Sequence, residues 1–160
     1  MMEQIEGMDI RPVTDEDLDE VLHLFYQTVH TINAQDYRQD QLDTWAPQHP
    51  DKEKWLTSLR SNIAYVIKQD NKLVGFADLN QRRYIDRLFV HKDYQRMGIA
   101  SLLVTTLEAE AKKLKYNEVM TEASITARGF FEKKGYDTVR MQDKELRGMF
   151  FRNYIMKKEL

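Results

Sequence analysis

The stretch VHKDYQRMGIASLL, Val90 to Leu103, decides the reading of this sequence. It opens as the end of an apolar strand, crosses a short polar turn and continues as an amphipathic helix. The turn carries one glycine, Gly98, two residues after Arg96. A helix start leaves its first N–H groups without helical partners, and the aligned peptide dipoles put partial positive charge there. Such a start binds anions, phosphate most commonly. Gly98 removes the Cβ that would hold a phosphate off the backbone. Arg96 adds a full charge with forked donors, and Ala100 leaves the first turn open. An ordinary glycine-assisted strand-to-helix turn has the same local sequence, so the surroundings must discriminate.

Outward from that turn, the hydrophobic period changes in an ordered way. On the C-terminal side, Ile99, Leu102, Leu103, Leu107, Ala111 and Leu114 share one helix face, and three lysines (112, 113, 115) suit the negative helix end. NEVMTEAS (117–124) reads as a strand, TARGFFEKKGY (126–136) as a short helix ending near Gly135, and strands follow near 137–142 and 149–158. On the N-terminal side, IAYVIK (63–68), LVGFADL (73–79) and RYIDRLFV (83–90) form a meander of strands. MDIRPV (8–13) predicts a first strand. Thr14 and Asp17 then make a T-x-x-D capping box for a helix over 15–33, on whose stripe His23 and His30 read as packing residues. Residues 34–50 read as a polar connection, and 51–61 as a helix. Trp45 and Trp55 leave two readings open, a lid over a substrate or a cover over one end of the core. The order β α α β β β α β α β β predicts a mixed α/β sheet, mostly antiparallel, with one parallel pair where the strand–helix–strand passage crosses over.

Composition narrows the function classes. The 160 residues hold 24 basic and 26 acidic side chains, a net charge of -2, with no basic run. That is no footprint for nucleic acid. No cysteine is present, which excludes disulfides, thiolate catalysis and cysteine-ligated zinc. No apolar run approaches the ~20 residues of a membrane span. MMEQIEGMD lacks the charged and apolar regions of a secretory signal, so residues 1–7 read as a flexible leader before a domain over 8–160, and a cytoplasmic location is expected. No G-x-x-x-x-G-K-[ST] and no G-x-G-x-x-G occurs, so two other phosphate loops are absent.

VHKDYQRMGIA resembles motif A of the GCN5-related N-acetyltransferases (GNAT), a strand ending in Val, then [QR]-x-x-G-x-[GA] and a long helix. SITARGFFEKKGY is similar to motif B, and RPVTDEDLDEVLHLF to the family's first strand and helix. The resemblance covers residues 8–158 and implies the GNAT fold, with helices on both faces of the sheet. It implies acetyl-coenzyme A as co-substrate, with no metal. The pyrophosphate would sit on the backbone N–H groups of Arg96, Gly98, Ile99, Ala100 and Ser101, with Gln95 and Met97 at its edge. The pantetheine arm would bond the main chain of Leu88 and Val90 in a gap between strands 83–90 and 117–124. Lys133 and Lys134 are further phosphate candidates.

The resemblance also implies the chemistry, transfer of acetyl to a primary amine of a small molecule or peptide by direct attack in a ternary complex. A strand N–H at Leu88 or Phe89 would face the developing negative charge. Tyr84, Asp86 and Glu122 are the candidate proton acceptors, with Asp78 a fourth; Tyr84 and Asp86 alternate onto one strand face. His91 reads as a turn residue. The chain departs from the pattern twice. Ser124 stands where motif B often has Asn, and Phe131 where many members have a Tyr that protonates the leaving thiolate. Tyr84, Tyr136 or Tyr154 would have to replace that acid, if one is needed. The alternative is an acyl-coenzyme A-binding sensor or subunit with little turnover. A protein N-terminus or lysine remains open as acceptor, and a homodimer is compatible with the sequence.

Overall fold

One sheet of seven strands forms among residues 7–160, which the computed structural model describes. The strands are β1 (Met8–Pro12), β2 (Ile63–Gln69), β3 (Lys72–Leu79), β4 (Tyr84–Val90), β5 (Glu118–Ser124), β6 (Asp137–Leu146) and β7 (Met149–Glu159). Their spatial order is β1-β2-β3-β4-β5-β7-β6. Only β4 and β5 run parallel, joined by the crossover helix α4 (Ile99–Lys113). The other helices are α1 (Leu18–Thr31), α2 (Gln39–Trp45), α3 (Lys52–Ser61) and α5 (Arg128–Lys133). The leader expected over 1–7 lies, apart from Gly7, outside the described residues.

Two cores form because the sheet is covered on both faces. On one, Leu103, Leu107 and Ala111 of α4 pack with Ile85, Val119, Phe131 and Met156. On the other, Val21, Phe25 and Val29 of α1 pack with Leu42, Leu59, Phe76, Phe89 and Phe151. Each of these buried side chains larger than alanine contributes about 1.5–3 kcal/mol.

Local chemistry shifts some expected boundaries. Asp17 does cap, accepting from the Thr14 N–H at 2.8 Å, but it also takes both Arg11 guanidinium donors at 2.8 Å. A 3₁₀ turn over Asp15–Asp17 accommodates this, and α1 begins only at Leu18. The Arg11 bonds hold the Asp17 carboxyl below the usual carboxylate range against the opposing effect of burial. The stretch expected as a connection, 34–50, contains α2. Seven residues are too few for a stable isolated helix. A cap and a tertiary bond hold it: Gln41 accepts from the Arg38 N–H at 2.8 Å and donates to the Phe150 carbonyl at 2.8 Å.

The largest departure lies in β4. Asp78 pairs with Arg87, but Leu79 pairs with Ile85, so Asp86 is an extra residue, a β-bulge. Strict alternation along β4 is therefore broken: Ile85 joins the α4-side core while Arg87, two residues on, lies over Phe76 of the other core. The bulge is braced from behind. Asp78 is wholly buried and receives the Arg87 guanidinium, whose Nε lies 2.9 Å away. Asn62 also donates to Asp78, at 3.1 Å, and the Arg87 guanidinium lies 4.1 Å from the Trp55 ring centroid. Removing one partner of a buried ion pair leaves the other charge uncompensated. Arg87→Ala is therefore expected to destabilise the fold by about 3–5 kcal/mol in urea denaturation, and Arg87→Ala with Asp78→Ala by less than the single change. A single-variant loss below about 1 kcal/mol would show that the pair does not hold the bulge.

Candidate active site

The parallel strands β4 and β5 pair at only two positions, Tyr84 with Met120 and Ile85 with Thr121. The ladder ends where a side chain replaces the main chain, because the Thr121 hydroxyl donates to the Ile85 carbonyl at 2.9 Å. Beyond that point the strands diverge and a cleft of about 590 Å³ opens between them. Backbone groups of successive strand residues point to opposite edges. The His91 N–H donates to Val74 of β3 at 2.8 Å. Counting back, Phe89 and Arg87 face β3, while Leu88 and Val90 face the gap. The carbonyl of Val90 accordingly accepts from Gln95 Nε2 at 2.7 Å rather than from β3. Of the two expected donors for developing negative charge, the Leu88 N–H is therefore on the gap side and the Phe89 N–H is not.

At one end of the cleft, Arg96 and Gly98 both adopt left-handed backbone, with φ of 61° and 83°. The first bond of α4 runs from the Leu102 N–H to the Gly98 carbonyl at 2.9 Å, leaving the N–H groups of Ile99, Ala100 and Ser101 without helical partners. A Cβ added at Gly98 would meet nothing within 4 Å, so the glycine opens onto free space rather than packed atoms. Arg96, Gly98, Ile99, Ala100 and Ser101 all line the cleft. Lys134 of the α5 end reaches across to the Ser101 hydroxyl at 3.1 Å and the Thr105 hydroxyl at 3.0 Å, and among the described residues no carboxylate lies within 4 Å of it. It is thus held as an uncompensated cation beside the helix start, a placement the sequence did not distinguish from a solvated lysine. Gln95 lines the cleft, but its amide braces the turn. Met97, between the two left-handed residues, is 40% exposed and does not line the cleft.

At the other end, the cleft meets a smaller chamber of about 270 Å³ at Trp45, Ile85, Asp86, Glu122 and Ser124. Tyr84, Asp86 and Glu122, predicted together, all line this chamber. They differ in what they are free to do. Glu122 is paired with Lys144 at 2.5 Å. Asp86 makes no ion pair within 4 Å and no hydrogen bond among the described residues. Asp86 is exposed to solvent where it lines the cleft, while protein atoms packed round its carboxylate, together with Asp78, raise its pKa above the ordinary aspartate range against the nearby Arg87 and Lys144. Asp78 itself is buried against Arg87 and lines neither space.

The tyrosines separate as well. Tyr136 is buried, donates to Glu108 at 2.8 Å, and has its pKa pushed far up by burial. Tyr154 lies beneath the Arg128 guanidinium and lines neither space. Only Tyr84 of the three faces the chamber. Phe131 packs edge-on against Phe130 and Tyr136 with its ring lining the cleft. The Ser124 hydroxyl oxygen accepts from the Ala127 N–H at 3.0 Å, which leaves its own proton free to donate. Trp45 lines both spaces, and Trp55 lines the cleft while packing, tilted, on Phe25 and beneath the Arg87 guanidinium, so both tryptophans border the site and Trp55 also packs on the core. The sequence reading missed Tyr37. Its hydroxyl donates to the Arg152 carbonyl at 2.6 Å and accepts from the Ile125 N–H at 3.0 Å, tying the β5 end to β7 and presenting only its ring to the chamber. It also missed Asn153, whose Oδ1 is buried on the chamber wall without a hydrogen-bond partner.

Comparison with known proteins agrees with this geometry. The model of the acetyltransferase (GNAT) domain matches residues 33–160. YafP of Escherichia coli (strain K12), an uncharacterized N-acetyltransferase, is 32% identical over 153 residues, 96% of this chain and 97% of that protein. A GCN5-related N-acetyltransferase from Rhodopseudomonas palustris superposes with a TM-score of 0.93 at 27% identity, covering 100% of both chains. The PaiA N-acetyltransferase of Thermoplasma acidophilum, solved in complex with coenzyme A, shares the fold at 20% identity, with a TM-score of 0.80 over 96% of this chain and 99% of that one.

The open space at Gly98 makes a specific test possible. Gly98→Asp is expected to abolish coenzyme A binding in isothermal titration, since it puts a carboxylate where the helix start faces the cleft. The left-handed backbone adds a stability loss of about 1–2 kcal/mol. Lys134→Ala is expected to weaken binding about three- to tenfold without that loss. A folded Gly98→Asp variant with unchanged affinity would place the anion elsewhere.

Proposed function

Because the chain belongs to the GNAT acetyltransferase family, we propose that it transfers acetyl from acetyl-coenzyme A to a primary amine seated in the smaller chamber, by direct attack with both reactants bound. One observation carries the reading. A continuous passage runs from the uncompensated N–H groups at Ile99–Ser101, along the free edge of β4, to a carboxylate at Asp86 that has no ion-pair partner among the described residues. The chain's groups fit the cofactor: donors and Lys134 for its phosphates, the exposed main-chain edge at Leu88 and Val90 for its amides, and a glycine that leaves room.

Acetyl-coenzyme A supplies an activated acyl group as a thioester. The residues supply the rest. The Leu88 N–H, fixed by strand geometry, donates a hydrogen bond toward negative charge developing on the acyl oxygen. Asp86 accepts the amine proton, directly or through one water. An alkylamine with a pKa near ~10 is an ammonium at neutral pH and must lose that proton before it can attack. A carboxylate with a raised pKa narrows the gap for that transfer. Holding both reactants in one passage supplies proximity. No tyrosine on the cleft wall occupies the Phe131 position, and the thiolate can leave unprotonated, since a thiol pKa near ~8.5 makes that a step of about 1–2 kcal/mol. A binding-only role would need no unpaired carboxylate at the junction of two chambers.

The raised Asp86 pKa acts on stability and activity in opposite directions. An aspartate whose folded pKa exceeds its unfolded value of ~3.9 lowers stability as pH rises from the unfolded value through the folded one. Asp86→Asn is therefore expected to raise the melting temperature at pH 7 and to lower kcat/KM by about 10²–10⁴. Coenzyme A affinity should stay within about twofold, since the anion end is untouched. An Asp86→Asn enzyme with the parent rate would place the proton acceptor elsewhere. The parent profile of kcat/KM should rise to a plateau, with the rising limb above the usual aspartate range and no fall between about pH 8 and 9.5. A bell shape in a folded enzyme would reveal a general acid, with Tyr84 the first to replace by Phe.

A further inference from the structure

The smaller chamber has a composition that selects among amines. Its walls include the rings of Tyr37, Trp45, Tyr84 and Phe151. Three of these rings form one cluster: Tyr37 and Trp45 lie 5.6 Å apart edge-on, Tyr37 and Phe151 6.1 Å apart, and Trp45 and Phe151 6.2 Å apart. Tyr37 and Phe151 are each 8% exposed, so the cluster is rigid wall rather than mobile surface. The volume of about 270 Å³ equals that of about nine liquid waters, which suits a small molecule.

Charge on the same walls is counted to a single vacancy. Glu122 is neutralised by Lys144 at 2.5 Å. Asp86 has no cation within 4 Å among the described residues. Asn153 adds an unpartnered carbonyl oxygen, Oδ1, to the same lining. One ammonium therefore finds a carboxylate and a further acceptor. A second ammonium would find none and would meet Lys144 and Arg82, whose guanidinium lies 5.8 Å from the Tyr84 ring centroid. A buried charge without a partner is costly, and aromatic faces attract the one cation that is admitted.

Resting on the acetyltransferase reading above, we infer that the acceptor is a small monoamine with an aromatic or similarly flat apolar body on a short aliphatic link, and that polyamines are rejected. The amine is aliphatic because only an amine protonated at neutral pH is drawn to the Asp86 carboxylate. The reaction balances simply. The bound ammonium first gives one proton to Asp86, which passes it to solvent; the N–C(acyl) bond then forms, the C–S bond breaks, the nitrogen loses its second proton by the same route, and coenzyme A leaves as thiolate.

The test uses the whole protein at saturating acetyl-coenzyme A, with released coenzyme A followed by a thiol reagent. The amines are 2-phenylethylamine, n-butylamine, putrescine and an alanine-leading tripeptide. The inference expects kcat/KM for 2-phenylethylamine at least tenfold above n-butylamine and at least a hundredfold above putrescine and the tripeptide. Trp45→Ala should raise the KM for 2-phenylethylamine at least tenfold, with the KM for acetyl-coenzyme A within twofold. Lys144→Met should raise the kcat/KM for putrescine relative to 2-phenylethylamine at least tenfold, because it removes the repelling charge and frees Glu122. Putrescine or the tripeptide used as well as 2-phenylethylamine would overturn the inference, and so would no turnover of any amine while acetyl-coenzyme A still raises the melting temperature. No response to acetyl-coenzyme A at all would overturn the reading beneath it as well.

Discussion

The whole site depends on where β4 and β5 stop pairing. Two register pairs, Tyr84 with Met120 and Ile85 with Thr121, hold the parallel strands together, and then the Thr121 hydroxyl takes the next carbonyl in place of a main-chain donor. A sheet interior rarely leaves strand edges unpaired, because an unmet N–H or C=O costs about as much as a lost hydrogen bond. Here the unpaired edge of β4 lines a cleft. Both cores close around this split: α4 packs behind β4 on one face, and α1 with α3 on the other, so the gap cannot collapse. The free edge is thus a built feature of the fold, and it lies directly in line with the helix start that collects negative charge.

The bulge at Asp86 is the second consequence of the same geometry. It sits immediately after the last paired residue, where the strand must bend away from its neighbour. Bulges re-aim a side chain at the point where pairing ends. Asp86 is carried to the junction of cleft and chamber, while the next residue, Arg87, turns back to neutralise the buried Asp78. The pair behind the strand and the lone carboxylate in front of it are two results of one extra residue. The raised Asp86 pKa is local destabilisation that the surrounding packing sustains, a pattern typical of functional carboxylates.

Legibility in the sequence followed the range of the interactions. The turn at Gln95–Gly98 and helix α4 were readable, because glycine conformation and helical period are local. The meander β2–β3–β4 was readable for the same reason. The bulge was not, since it exists only in the register between Asp78–Leu79 and Ile85–Arg87. Helix α2 was read as connection because its caps lie in the chain but its hold, Gln41 to Phe150, spans 109 residues. Strand β6 runs to Leu146 rather than to 142, since pairing with β7 and not its own exposed side chains keeps it extended. Tyr37 and Lys144 entered the site only through partners far along the chain, and nothing in their immediate sequence marks them. Tyr84, Asp86 and Glu122, grouped in the sequence as proton-acceptor candidates, line one chamber, but their separate states of charge pairing needed the fold.

The central claim is that the edge of β4 facing the gap holds the cofactor through the main chain of Leu88 and Val90. Residue-resolved amide hydrogen exchange with and without acetyl-coenzyme A tests this most directly. Phe89 and Arg87, already bonded to β3, should exchange slowly in both states. The amide of Leu88 should exchange faster in the free protein and become protected by at least tenfold on addition of acetyl-coenzyme A, with Val90 changing in the same sense. Protection of Leu88 that is unaltered by saturating acetyl-coenzyme A would contradict the account, because the open strand edge would then have no part in holding the ligand.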